Sequence, residues 1–323
     1  MIVKTFDNGW GLEYPTKQFE KYLLYQYLKP VINDKSRTVL INCVWYSKEY
    51  HQQVLTWLKQ NSLDRIVLVA MMDPAISHPE WYNEIGVPVN AVGYYTGPDT
   101  LDYWALLLAH YHKPVPVEVL LDFSKIDIAY MCLNRKPHWH RRQLYKKLQN
   151  KDLVRHGLVS MGNQLNLVND RTQDNFAPNS DQTQYGIPND LVSLGNPDNW
   201  TRCLVNVVTE TVYNINQNNF ISEKIFKPIL GHRPFLVYDT DGACAWLRNR
   251  GLEPYVQDFK DITDLDLSMP DHLIGFLDIL CQQPKNYWQH KFLELRDKLI
   301  YNKNQFDQYV QDQKNKLIQA MAC

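Results

Sequence analysis

Between Leu204 and Gly251 the chain reads LVNVVTETVYNINQNNFISEKIFKPILGHRPFLVYDTDGACAWLRNRG, an order of patterns that few folds accept. Leu204, Val205, Val207 and Val208 form an apolar run suited to a buried strand, and the polar stretch from Asn214 to Asn219 is a loop. Ser222 stands at a helix N-cap position, with Ile225, Phe226, Ile229 and Leu230 at helical spacing behind it and Gly231 as the stop. Pro228 falls inside that pattern, so the helix is expected to be short or kinked. Pro234 to Tyr238 gives a second strand, and Ala243 to Arg250 a second helix ended by Gly251. Strand, helix, strand, helix in under fifty residues is the rhythm of a parallel α/β domain.

Glu223 and Lys224 fall in the first turn of the helix behind the first of these strands. That places them near the carboxyl edge of the sheet, where open parallel sheets bind ligands. Helix-start amides and a lysine favour a phosphate, and a carboxylate accepts from sugar hydroxyls. An ordinary capped helix, with Glu223 compensating the dipole and Lys224 solvated, satisfies the same residues.

The remaining chain supplies a second unit of the same kind. Thr38 to Trp45, Arg65 to Met71 and Val89 to Tyr94 read as strands. Ser47 caps a helix reaching about Gln60, His78-Pro79-Glu80 opens a short one, and Thr100 to Tyr111 forms another. A helix is also expected from Lys17 to Leu28, with the glycine-rich Phe6–Gly11 stretch as a turn. No GxGxxG is present, so a dinucleotide role has little support. Pro114 to Val117 reads as a stiff connector, and Ile128 to Leu133 opens the second domain, followed by a helix from Arg141 to Gln149 and a strand from Gly157. The stretch from Asn163 to about Pro197 turns polar and is longer than a plain connection requires. Pro270 to Cys281 is a helix, and one or two long helices run from Lys285 to Ala322. The domains expected are 1–122, 123–284 and the helices 285–323, the last returning to brace the first domain.

At 323 residues the chain has 34 basic and 35 acidic side chains, a net charge of -1 that gives no general pull toward nucleic acid or membrane. No apolar run approaches a membrane span, the first residues lack the apolar core of a signal peptide, and the six cysteines are scattered. Free thiols and a cytoplasmic location are the expectation.

A second constellation lies directly after the 128–133 strand: Arg135, Lys136, His138, His140, Arg141 and Arg142 within nine residues. Cations at a strand end and helix start can hold the two charges of a diphosphate, arginine as a planar fork and lysine as a point charge. A solvated basic turn is the competing explanation. His138 and His140 alone leave a zinc site short of ligands, so no metal is expected. If both strands are parallel, the helix starts at 138–142 and 222–224 point the same way, and together they are more specific than either alone.

CLNRKPHWHRRQLYKKL with GLVSMG, and VNVVTETVYNINQNNFISEKIFKPILGHRPFLVY, resemble the donor-binding half of exostosin-like and α1,3-fucosyltransferase-like glycosyltransferases over about residues 128–251. The resemblance implies a GT-B architecture, two Rossmann-like parallel-sheet domains facing a cleft, with C-terminal helices. It implies a nucleoside diphosphate sugar as donor substrate, a hydroxyl-bearing acceptor and no required cofactor. On this chain the diphosphate would fall to Arg141, or Arg142 in its place, and to Lys224 beside the Ser222 cap; Glu223 would approach the ribose. Glu210 would meet the transferred sugar or order its loop, and Asn134 and Arg135 would line the strand end; His138, by its position alone, lies close enough to that end to touch a ligand, though a surface histidine satisfies it equally. An inverting reaction would need a carboxylate base from the first domain, for which Asp73 and Asp99 follow strands, with Glu80 a further candidate. Two rival functions stay open. One is a non-catalytic glycan- or partner-binding module of the same fold, the other a glycosyltransferase acting on modified nucleic acid through the 135–147 basic run.

Overall fold

The computed structural model describes residues 2–6, 38–43, 65–70, 89–93, 102–112, 114–134, 137–161, 194–210, 221–238 and 242–322, with Thr56, Lys59 and Gln60. The expected helices at 17–28, 47–60 and 78–80 and the polar stretch from 163 to about 197 lie largely or wholly outside these residues. The chain divides into two compact units. The first comprises Met1–His110, Thr183–Gly186 and Val310–Cys323; the second comprises Tyr111–Gln182 and Ile187–Tyr309.

In the first unit, strands β1 (Ile2–Phe6), β2 (Thr38–Cys43), β3 (Arg65–Ala70) and β4 (Val89–Gly93) lie side by side in sequence order. Every pairing is parallel, with Leu40 opposite both Val3 and Val67 and Leu68 opposite Ala91. Helix α1 (Tyr103–Tyr111) follows and buries Trp104, Ala105, Leu106 and Leu108. It starts after Asp102, whose carboxylate accepts from the Ala105 amide at 3.0 Å. The Asp102 amide in turn donates to Gln313 Oε1 at 2.8 Å.

The second unit opens with the short helix α2 (Val117–Leu120), whose first residue falls within the stretch expected as a stiff connector. Its sheet takes the order β6-β5-β7-β8, all parallel. The strands are β5 (Ile128–Asn134), β6 (Gly157–Met161), β7 (Cys203–Val208) and β8 (Phe235–Val237). Every residue of β6 and β7 is buried, as expected of a parallel sheet covered on both faces. The intervening helices are α3 (Trp139–Asn150), α4 (Pro197–Arg202) and α5 (Glu223–Leu230), and α6 (Ala243–Arg248), α7 (Pro270–Gln282) and α8 (Lys285–Ala322) complete the unit. Helix α8 is continuous, and it gives its residues from Val310 onward to the first unit. Both units are thus mixed α/β with a small parallel sheet and helices, consistent with a generic Rossmann-like arrangement.

The order β6-β5-β7-β8 positions the site. The chain leaves β5 toward β6 and leaves β7 toward β8, in opposite directions. By the right-handed rule for such crossovers the helices after β5 and β7 cover opposite faces of the sheet. Their first turns nevertheless flank one crevice at the carboxyl ends of β5 and β7, the topological switch point.

Two buried groups hold the far end of α5. Gly231 caps that helix with φ -82°, so glycine is not required there for a left-handed turn. A Cβ would press into the Trp200 indole, which explains the glycine, and the positive φ of 47° falls on His232 instead. Arg233 is fully buried: its Nη1 donates to the carbonyls of Leu120 and His232, both at 2.8 Å, and its Nε to the carbonyl of Trp200. The guanidinium also stands 4.5 Å from the centre of the Phe292 ring. One side chain thus ties α2, α4 and α8 to the entry of β8. Replacing Arg233 by Met should leave three buried carbonyls short of a donor and cost about 3 kcal/mol or more in urea unfolding. Arg233→Lys should recover only part of that, because an ammonium lacks the planar fork.

Candidate functional site at the switch point

Strand β7 runs out at Val208, and the two residues after it, Thr209 and Glu210, are both buried. Every side chain at this corner is arranged around them. From the α3 side, Arg141 Nη2 donates to the carbonyls of Thr209 and Glu210 at 2.9 Å each, and His140 Nε2 donates to the Glu210 carbonyl at 2.9 Å. From β5, Asn134 Oδ1 accepts from the Thr209 hydroxyl, while the Asn134 backbone N–H donates to Ser160 Oγ at 3.0 Å. From the α5 side, the Glu210 carboxylate accepts from the Ser222 amide at 3.1 Å and from its hydroxyl. Ser222 Oγ caps α5 through the Lys224 amide, as the sequence pattern indicates. Lys224 Nζ completes the chain, 3.1 Å from Ser222 Oγ and 2.7 Å from Glu223 Oε1.

The backbone of Glu210 therefore takes the start of α3, and its carboxylate takes the start of α5. Burial pushes the Glu210 carboxyl up to about 7, against the opposing pull of Lys224 and the Ser222 hydroxyl. Glu223 is buried too, which alone would raise its carboxyl, but Lys224 and Lys227 outweigh that and hold it below the usual range. Burial pulls the His140 imidazole down to about 4, with the nearby Arg141 and His138 adding to the shift and its bond to Glu210 opposing it. The ring is thus neutral at physiological pH and carries its proton on Nε2, the nitrogen facing the carbonyl. His138 stacks on it, ring centres 6.1 Å apart and planes 3° apart, and makes no side-chain cap to α3.

Asn134, His138, Arg141, Glu210, Ser222, Glu223 and Lys224 are thus gathered at one corner, in differing states. Asn134 and Arg141 face inward on protein partners. Lys224 keeps a quarter of its side chain exposed. Arg142 is exposed, and its guanidinium makes no hydrogen bond or ion pair among the described residues. Arg135, Asp73 and Asp99 lie outside the described residues. His140, named in the basic constellation and as half of a weak HxH pair, and Thr209, which the sequence reading did not single out, carry central bonds; for Thr209 the available signal was a hydroxyl directly after a buried strand end.

Among the described residues no group of three His, Cys, Asp or Glu side chains could hold a metal ion. Cys132, Cys203, Cys244 and Cys281 are free thiols. No helix among the described residues is long and apolar enough to cross a membrane. Comparisons with protein-family models, with curated proteins and with solved structures find no match.

The shifted groups set the acid behaviour of this unit. His112, His140 and His232 all titrate at about 4 when folded, against 6.5 ordinarily, chiefly through burial. Between these values the unfolded chain binds more protons. Stability is therefore present above about 6.5 and is lost as pH falls toward 4, by at most ~1.4 kcal/mol per pH unit for each histidine. Glu210 acts oppositely: its folded value of about 7 lies above the ordinary 4.5, so its contribution is full below 4.5 and lost as pH rises through 7. Three histidines outweigh one carboxyl, so the urea midpoint should be lower at pH 5 than at pH 7.5. Glu210→Gln, which mimics the protonated acid, should raise stability at pH 7.5, leave it nearly unchanged at pH 5 and so steepen the acid loss.

Proposed function

We propose that this chain is a nucleotide-sugar-dependent glycosyltransferase of the GT-B kind, akin to the exostosin-like and α1,3-fucosyltransferase-like enzymes. It moves a sugar from a nucleoside diphosphate to a hydroxyl-bearing acceptor in the cytoplasm. The observation that carries this reading is the meeting of two helix starts on Glu210 at the switch point of a parallel sheet, with Lys224 beside it. Such a crevice is where α/β sheets take nucleotides.

The donor diphosphate is assigned to Lys224 and Arg142. Lys224 is already oriented by Glu223 and Ser222, so little reorganisation accompanies the growth of charge on the β-phosphate. Arg141 is engaged by two backbone carbonyls, and Arg142, its exposed neighbour, takes the role in its place. A Glu210 carboxyl that titrates at about 7 repels an adjacent diphosphate less than a permanent carboxylate would. Glu223 is assigned to the ribose, and the first unit to the acceptor, with Asp73 or Asp99 as the base.

The test is incubation with UDP-, GDP-, ADP- and CMP-linked sugars over an acceptor panel, read by product mass. Lys224→Ala should lower kcat about 10²-fold while leaving the melting temperature without ligand little changed. An unaltered rate in an active preparation removes Lys224 from the diphosphate role. Glycan binding with no transfer from any donor would instead point to a binding module.

A further inference from the structure

Ser222 Oγ links the buried Glu210 carboxylate to the lysine assigned to the donor. A serine hydroxyl has one proton to give and two lone pairs to fill. Here the proton goes to Glu210 Oε2, and the lone pairs take the Lys224 backbone amide at 3.4 Å and Lys224 Nζ at 3.1 Å. The other carboxylate oxygen, Oε1, accepts from the Ser222 amide at 3.1 Å. Each hydrogen-bonding position of the hydroxyl is filled, and the pattern holds only while Glu210 is ionised.

A proton added to Glu210 upsets it. Oε1 already faces an N–H, so the proton falls on Oε2, which then donates to Ser222 Oγ instead of accepting from it. Three donors then compete for two lone pairs, and the hydroxyl's own proton meets lysine nitrogens that also donate. One bond has to yield. The Lys224 amide is fixed in the first turn of α5, whereas its ammonium ends a flexible, quarter-exposed side chain. Lys224 Nζ therefore turns one N–H away from Ser222, while Glu223 Oε1 at 2.7 Å keeps the ammonium in place.

The surrounding charges set the direction of this exchange. From α5, Lys224 and Glu223 act on the Glu210 carboxyl. From α3, His140 and Arg141 face its carbonyl, with His138 stacked on His140, and β5 presents the uncharged Asn134 to the adjoining Thr209. Near neutral pH His140 is neutral and Glu223 ionised, whereas Glu210, at about 7, is divided between its two forms. A diphosphate brought to Lys224 adds negative charge and so favours the protonated carboxyl.

We infer that Glu210 is a positioning residue for the donor, taking up a proton as a nucleoside diphosphate binds and, through Ser222 Oγ, turning an N–H of Lys224 to the phosphate. This rests on the donor reading above and adds to it the proton that accompanies binding. The proton comes from solvent and returns there when the diphosphate leaves. Because the bound form holds the proton more tightly, affinity is full below 7 and falls as pH rises above it, by at most about tenfold per unit.

The test counts protons. Binding of UDP, GDP, ADP and CDP to the full chain is followed by titration calorimetry at pH 8, where a terminal phosphate with a second pKa of about 6 is already ionised. Two buffers of different ionisation heat give the number of protons exchanged. The native chain should take up roughly half a proton or more per nucleotide bound, and Glu210→Gln none. The glutamine amide donates to Ser222 Oγ as the protonated acid does. Glu210→Gln should therefore bind about fivefold to tenfold more tightly than the native chain at pH 8, and about equally at pH 6. In a Lys224→Ala background, titrated to millimolar nucleotide, that gain should shrink to about twofold or less. A gain that persists in full means the carboxylate acts by its charge alone, and overturns the route through the hydroxyl. The native proton count needs no variant to fold: nucleotide binding without uptake overturns the inference and leaves the donor reading standing, as does uptake that persists in Glu210→Gln. If none of the four nucleotides binds the native chain, both fall.

Discussion

A carboxylate buried at the end of a parallel strand has to be accounted for by its neighbours, and at Glu210 that requirement organises the corner. Its carboxylate accepts from the Ser222 amide and hydroxyl, and its carbonyl accepts from His140 and Arg141. Two helices assigned to opposite faces of the sheet therefore have their first turns fixed to one residue. Loss of that residue's bonds would leave buried donors on both sides, which is why the network acts as a unit.

The same economy of partners sorts the cations by depth. Arg141 and Arg142 are adjacent in sequence and differ entirely in circumstance. One is buried and holds backbone carbonyls; the other is exposed on a helix side without a carboxylate. Lys224 lies between these extremes, partly exposed and held by Glu223 and Ser222. A buried guanidinium keeps a crevice in shape, whereas a surface cation can meet a ligand. Arg233 repeats the first case at the other end of α5, where it binds carbonyls of α2, α4 and its own neighbour His232 beside the Phe292 ring. In ILGHRPF, then, the glycine serves the approach of Trp200 and the arginine serves the packing.

Much of the second unit was legible because its strands are continuous apolar runs and its helices carry caps. β5, β6, β7 and β8 fall within a residue or two of the expected spans, and the Ser222 cap is present. β1 escaped notice because IVKTF is short and interrupted by Lys4 and Thr5; its pairing with β2 makes it a strand. α4 escaped because it adjoins a polar tract, although Asn196 capping Asp198 and Pro197 in the first turn are ordinary helix-start signals. The first part of α8 follows the pattern of Phe292, Leu295 and Leu299, which are buried, whereas Leu293 beside them is 39% exposed.

By itself the sequence determined the strands and the longer helices of the second unit, and which polar and charged residues stand at their ends, because periodicity and capping are local properties of the chain. Only the tertiary structure decided the strand order that puts β5 beside β7 and the allotment of two neighbouring arginines to inside and outside. It also decided that Asn134 turns to Thr209 while Trp139 stays 64% exposed. Those choices depend on which surfaces other elements cover, and burial of a given side chain is a property of the assembled unit rather than of its residue type.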